Sequence, residues 1–286
     1  MAMNKISNKI KKIFATISSN NQLKLGCLIL TFIIIMILIT PFITKYSPYE
    51  IKCDMLLPPN KDNLLGTDGL GKDVFSMILY GARTSIAIGL ISALISGVLG
   101  TLIGGIAGFI GGKVDAVISE IINIFLMIPT FFLILMIVAI FGSSMFNVMI
   151  VLGLTSWPSN ARLMRVEALS LKERTFVKSA IAIGESNWKI LFNYIIPNGI
   201  YPIISNTTLS ISGAILTEAS LSFLGLGDPN IVSWGQMIFD GKAYMGSAPW
   251  ITTFAGIAIL ILVVSFYLIG DGLNVVLNPK LKNVSK

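Results

Sequence analysis

The chain has 286 residues, of which 54% are hydrophobic and only 12% charged, with a mean hydropathy of +0.83 and a net charge of +7. An average soluble domain carries roughly 25% charged residues, so this composition excludes a water-soluble globular protein and leaves an integral membrane protein. The lysines and arginines gather between apolar runs with no aromatic-interleaved stripe, which argues against nucleic acid as a partner; no histidine and only two cysteines argue against a His/Cys metal centre and a disulfide framework.

In chain order, residues 1–24 carry Lys5, Lys9, Lys11, Lys12 and Lys24 and read as a cytoplasmic segment. The uncharged run 25–44 has the length of a bilayer span rather than the 7–15 residues of a signal-peptide core, and no small-residue cleavage pattern follows it. It reads as a retained first helix. Leu25-Gly26-Cys27 is not a lipidation site on this reading, because the apolar run follows the cysteine.

Residues 45–83 read as an extracellular loop. Within it Val74, Phe75, Ile78 and Leu79 recur with helical spacing behind Asp73, which predicts a short helix along the outer interface. Gly66-Thr-Asp-Gly-Leu-Gly71-Lys72-Asp73 comes within one position of the phosphate-cradling loop G-x-x-x-x-G-K-[ST]. Its last position is an aspartate where Mg²⁺ needs a hydroxyl, and no buried strand precedes it, so nucleotide binding is not expected here.

Residues 84–280 hold five further predicted spans, at 84–111, 121–141, 146–161, 198–218 and 251–270, giving six in all. The fourth is short and interrupted by Pro158. In the second, Gly100, Gly104, Gly108 and Gly112 fall every four residues, a face on which another helix backbone can approach closely. The spans are almost free of ionisable residues, which argues against an ion-coupled transporter. Glu218, at the end of span five, is expected as an interfacial or subunit-contact carboxylate. Gly225–Trp250 has the composition of a re-entrant or surface loop. With the N-terminus inside, 15 of the 21 Lys/Arg fall in cytoplasmic segments, supporting an N-in, C-in topology that ends in a cytoplasmic tail at 281–286.

The informative exception to lipid-like composition is the island from about 162 to 197, with Arg162, Arg165, Lys172, Arg174, Lys178 and Lys189. Charge at this density stays in water, on the cytoplasmic side. Phe176–Ile183 predicts a short helix, Gly184 a sharp turn, and Ser186 the cap of a second helix, Asn187–Ile196, ended by Pro197.

This island resembles the cytoplasmic loop of ABC-transporter permeases, E-A-A-x3-G-x9-I-x-L-P, with Gly184 and Pro197 in register, Tyr194 and Ile196 at the two apolar positions, and Lys178-Ser179-Ala180 where the leading triad stands. Lysine replaces the motif's glutamate. Leu65–Val74 with Tyr80–Ser85, Thr217–Gly227 with Ser233-Trp-Gly235, and Gly270–Leu273 with Asn278-Pro-Lys280 are similar to the shorter permease subunit of dipeptide, oligopeptide and nickel importers.

The resemblance implies an all-α, six-span permease of the MetI-like fold in a bacterial cytoplasmic membrane, importing peptides, with nickel or a metal complex as the alternative cargo. It also implies four partners: a second homologous permease, two cytoplasmic ATPases that bind the ATP and Mg, and an extracellular or periplasmic binding protein. The chain itself is expected to bind no cofactor and to catalyse nothing. Coupling to the ATPases is assigned to the 176–197 loop, with Ala180, Gly184 and Pro197 shaping it, Val177, Ile181 and Trp188 as contacts, and Lys178 and Ser179 alongside. An ion-driven secondary transporter and a transport-free membrane scaffold are the rival readings.

Overall fold

The computed structural model describes residues 20–277. The lysines of 1–19, the Asn278-Pro-Lys280 motif and the tail 281–286 lie outside the described residues. Ten α-helices are present among the described residues: α1 (Asn21–Ile43), α2 (Val74–Ile110), α3 (Gly112–Met127), α4 (Thr130–Phe141), α5 (Met145–Lys172), α6 (Thr175–Ala182), α7 (Asn187–Ile190), α8 (Ile196–Leu221), α9 (Trp234–Gly241) and α10 (Trp250–Leu277). A π-helical turn, Leu191–Ile195, joins α7 to α8, and Ser222–Leu226 follows α8 with a kink at Gly225 (φ +85°), so that one rod, kinked near its end, runs from 187 to 226.

Four of these rods are long and apolar enough to span a bilayer: α1, α2, the 187–226 rod and α10. The expected six spans are not recovered as six straight helices, for two physical reasons. The span expected at 121–141 is broken into α3 and α4, which meet at 85°. Ile128, ahead of Pro129, is extended (φ −80°, ψ 128°), because a proline ring crowds the residue before it out of the helical region. The span expected at 146–161 is instead the first half of α5, whose polar second half carries Arg162, Arg165, Glu167 and Lys172. Pro158 does not end that helix: it is buried, and leaving the helix inside the bundle would strand more backbone groups than the single bond a proline removes. The helix expected along the outer interface after Asp73 is the first turns of α2, whose 37 residues make a rod of roughly 55 Å.

The bundle is organised on α2, which packs most extensively against α5, the two running in the same direction. A Cβ on Gly100 would run into Asn160 and the Trp157 carbonyl, on Gly104 into the Ala161 backbone, and on Gly108 into Arg165 and Ala168. Three of the four expected packing glycines thus form the seam. Gly112 does not: with φ +58° and nothing within 4 Å of its would-be side chain, it opens α3, just past the turn at Gly111. At mid-seam Asn160, fully buried, donates to Ser96 Oγ at 3.0 Å and accepts from Asn206 Nδ2 at 2.9 Å, tying α2, α5 and α8 together. Next, α8 lies along α10, with Ser212 Oγ donating to the Val263 carbonyl and Gly270 against Leu209. Outermost, α1 rests on α10 through Gly26 and Gly272, and most of its apolar side chains remain exposed.

One end of the bundle is closed by the 45–73 loop and α9. Asp73 caps α2 by accepting from Ser76 N at 2.9 Å, Trp250 Nε1 donates to the Thr67 carbonyl at 3.1 Å, and Trp234 Nε1 to that of Ile78 at 2.9 Å. The region expected as a re-entrant or surface loop between the last two spans contains α9 and a 3₁₀ turn, Lys242–Tyr244. Glu218, expected as an interfacial or subunit-contact carboxylate, is buried within the chain. It is 5% exposed and accepts from Ser222 Oγ at 2.8 Å and Ser233 Oγ at 2.9 Å, pinning α9 to the end of α8.

Two outcomes follow for the melting temperature of the solubilised chain. Gly104→Leu drives a side chain into the α5 backbone and is expected to cost about 1–3 kcal/mol, whereas Gly213→Ala, on an open helical face, is expected to raise melting slightly. Glu218→Ala strands two buried hydroxyl donors at a cost of about 1–3 kcal/mol, and Glu218→Gln, which keeps an acceptor, costs less.

Candidate functional site

At the opposite end of the bundle, residues 173–195 form a compact knob between α5 and α8. Its shape is set by caps. Helix α6 ends in a paired turn in which Gly184 N donates to the Ile181 carbonyl at 3.0 Å and Glu185 N to that of Ala180 at 3.1 Å. That turn requires a left-handed residue, and Gly184 supplies it with φ +80°. Ser186 then caps α7, its Oγ accepting from Lys189 N at 3.4 Å. Pro197 does not end the second helix, as expected from the sequence; it sits in the first turn of α8. The π turn ahead of it has Ile196 N bonded to the Leu191 carbonyl, and this register shift lets the chain pass a residue with no N–H.

The knob has two unlike faces. Val177 and Ala180 point inward and join Phe109, Met164, Ala168, Ile190, Leu191 and Ile195 in a closed apolar cluster that also reaches Ile203 of α8. Val177 is 0% exposed, so it cements the knob to the bundle and offers no surface, in contrast to its expected role as a contact. Ile181 (47% exposed) and Trp188 (60%) do face outward, and the structure adds Ile183 (76%) and Phe192 (48%). Trp188 and Phe192 stack with ring centroids 6.2 Å apart, an i, i+4 aromatic pair that was readable in the sequence. Ile183 carried no such signal, since its exposure depends on where the Gly184 turn aims it.

Charged groups rim this apolar surface. Lys178, in the place of the motif glutamate, is exposed and pairs with Glu173 at 2.8 Å; the Lys178 ammonium holds the Glu173 carboxyl below its usual range. Lys189 pairs with Glu185 at 2.7 Å. Ser179 is exposed beside Lys178. Where the knob meets the bundle, Arg165 of α5 grips Asp115 of α3 with two parallel hydrogen bonds, Nη2 reaching Oδ2 at 2.7 Å. This clamp fixes α3 to α5 at the level of the knob, and spacing alone gave no sign of it.

The Gly66–Asp73 loop has no phosphate-cradle geometry. Asp68 Oδ1 accepts from Leu70 N at 2.9 Å and Lys72 N at 2.7 Å, so a carboxylate of the chain already occupies the amides that an anion would need.

Comparison with known proteins gives this architecture a family. Residues 100–283 match the model of the binding-protein-dependent transport system inner membrane component. The dipeptide transport system permease protein DppC of Alkalihalophilus pseudofirmus is 37% identical over 275 residues, covering 96% of this chain and 90% of that protein. The oligopeptide transport system permease protein OppC of Bacillus subtilis is 34% identical, covering 92% and 87%. The glutathione transport system permease protein GsiD of Pectobacterium atrosepticum is 38% identical, covering 79% and 75%. Among solved structures, the MetNI methionine ABC transporter superposes with a TM-score of 0.55 at 21% identity, over 68% of this chain and 93% of that one, a likeness of fold. A multi-helix membrane bundle that carries a capped knob between α5 and α8, with relatives similar over nearly its whole length, belongs to the binding-protein-dependent transport system inner membrane components.

Proposed function

We propose that this chain is the transmembrane permease subunit of an ATP-driven importer of short peptides, and that it passes force rather than catalysing a reaction. The observation that carries the reading is the two-faced knob: buried Val177 and Ala180 weld it to the core, while Ile181, Ile183, Trp188 and Phe192 project as an apolar surface. A surface of this kind at the end of a membrane bundle suits a cleft in a soluble protein. In this reading the knob end is cytoplasmic and each of two ATPases, which bind the ATP and Mg, takes one permease knob. This chain holds no cofactor. A second, homologous permease completes the pathway, and a binding protein delivers peptide at the opposite face. Nucleic acid has no part in it.

Force transfer requires stiffness. A push on Trp188 reaches the 187–226 rod directly, because the π turn keeps the helix continuous past Pro197. Through Val177 and Met164 it also reaches α5, and from there the glycine seam carries it to α2. The expected motion is therefore that of a rigid block between two arrangements of the paired permeases. Peptide is favoured as cargo by the dipeptide, oligopeptide and glutathione permeases that resemble this chain over most of its length.

Two experiments test the reading. Gly184→Pro removes a hydrogen-bonded N–H and forbids φ +80°, so peptide uptake should fall to background while the protein still inserts in the membrane; normal uptake would refute the assignment. Truncating the surface with Trp188→Ala and Ile183→Ala is expected to weaken ATPase association by about tenfold or more, each large apolar side chain contributing about 1.5–3 kcal/mol when buried. Titration of the ATPase onto permease in detergent reads this, and unchanged affinity would place the docking surface elsewhere.

A further inference from the structure

At the end of the bundle remote from the knob, a recess of about 450 Å³ opens between the 66–73 loop, α9, the 3₁₀ turn and the start of α10. Its size falls in the range of small-molecule sites, roughly 300–1,000 Å³. Met77, Met237 and Ile251 supply apolar walls, and the Tyr244 ring packs so closely on Gly69 that a Cβ there would collide with it. Two lysines and two aspartates line the rim.

These four charges are not equivalent. The Lys242 ammonium is already committed: it donates to the Phe223 carbonyl at 3.1 Å and sits 4.0 Å from the centroid of the Phe239 ring. Asp68 is buried and accepts two amides of its own loop on Oδ1. Lys72 is different, because its ammonium makes no hydrogen bond or ion pair among the described residues. Asp240 receives Gln236 Nε2 on Oδ1 at 3.0 Å, and among the described residues nothing donates to its other oxygen. Its carboxyl is pushed above the usual range by partial burial, and the charge of Asp68 adds to this; the Gln236 hydrogen bond and the Lys72 charge act the other way. Lys72 and Asp240 both line the recess. Even so, they do not close into an ion pair.

Opposite charges held near each other without pairing, over an apolar floor, match a molecule bearing both charges at its ends. A dipeptide spans about 7 Å from terminus to terminus, and the recess that Lys72 and Asp240 both line, at about 450 Å³, has room for a molecule of that length. We propose that this recess binds a short zwitterionic peptide, with its ammonium on Asp240 and its carboxylate on Lys72. The identity of the ligand rests on the peptide-import reading above; the site itself is separate from the knob. It gives the permease a holding point for cargo at the face where delivery occurs, before the peptide enters the helical pathway.

The test uses the assembled transporter in nanodiscs without its binding protein, with radiolabelled alanyl-alanine as the probe. Saturable binding is expected, displaced by unlabelled dipeptide and about tenfold more weakly by its N-acetylated or C-amidated forms. Lys72→Gln and Asp240→Asn should each weaken binding about tenfold, the scale of one charge-assisted hydrogen bond, with thermal unfolding confirming that each variant is folded. The blocked peptides, applied to the unaltered protein, decide the matter should a variant fail to fold. Uptake of alanyl-alanine by the unaltered complex with its binding protein is measured in parallel. Uptake with no binding in nanodiscs, with binding indifferent to both variants, or with blocked peptides competing equally, overturns the recess and leaves the import reading standing. No uptake by the unaltered complex overturns the import reading, and the ligand assigned here with it.

Discussion

The close approach of α2 to α5 is the contact on which the other features depend. Lipid gives two apolar helices no hydrophobic reason to associate, so they hold together by packing at short range and by the few hydrogen bonds that packing brings within reach. Gly100, Gly104 and Gly108 leave three successive turns of one α2 face without side chains, and the Trp157–Ala168 stretch of α5 settles into the space. Only at that separation can Asn160 reach Ser96 on one side while Asn206 reaches Asn160 from the other. The seam also explains why α5 crosses Pro158 intact: the surrounding helices hold it in place.

Rigidity at the seam gives meaning to the knob. A short helix attached to a soft bundle would absorb a partner's motion, whereas this one shares an apolar cluster with Phe109 of α2, Met164 of α5 and Ile203 of α8. The Arg165–Asp115 clamp adds α3 to the same block. The Gly184 turn and the π turn before Pro197 are the two backbone irregularities that make the knob project: one reverses the chain, and the other lets a helix continue through a proline. Each sits where an ordinary helix would have run straight or stopped.

The far end of the bundle is built on a different principle. There the chain uses side-chain hydrogen bonds rather than bare backbone contact: Asp73 on Ser76, Glu218 on two serines, and two tryptophan N–H groups on carbonyls of the loop and of α2. Water is near and polar groups are cheaper to place, so a folded cap of short segments is possible where a lipid-facing one is not. The recess between Lys72 and Asp240 is a product of that cap.

Composition and apolar run length were enough to determine a multi-span membrane protein, the glycine face of α2, and a water-exposed island with a turn at Gly184, because these depend on local chemistry that each residue carries with it. The family resemblance lay in motifs that are likewise local. Tertiary structure decided the rest. Whether a proline breaks a helix depends on what packs around it, so Pro129 bends its span while Pro158 and Pro197 do not. Whether an apolar residue at the knob serves as cement or as surface depends on which side the bundle lies, so Val177 is buried and Ile183 is exposed. Glu218, Asp115 and the Lys72–Asp240 pair acquire their roles from groups distant in sequence, and no window along the chain contains both partners together with the walls around them.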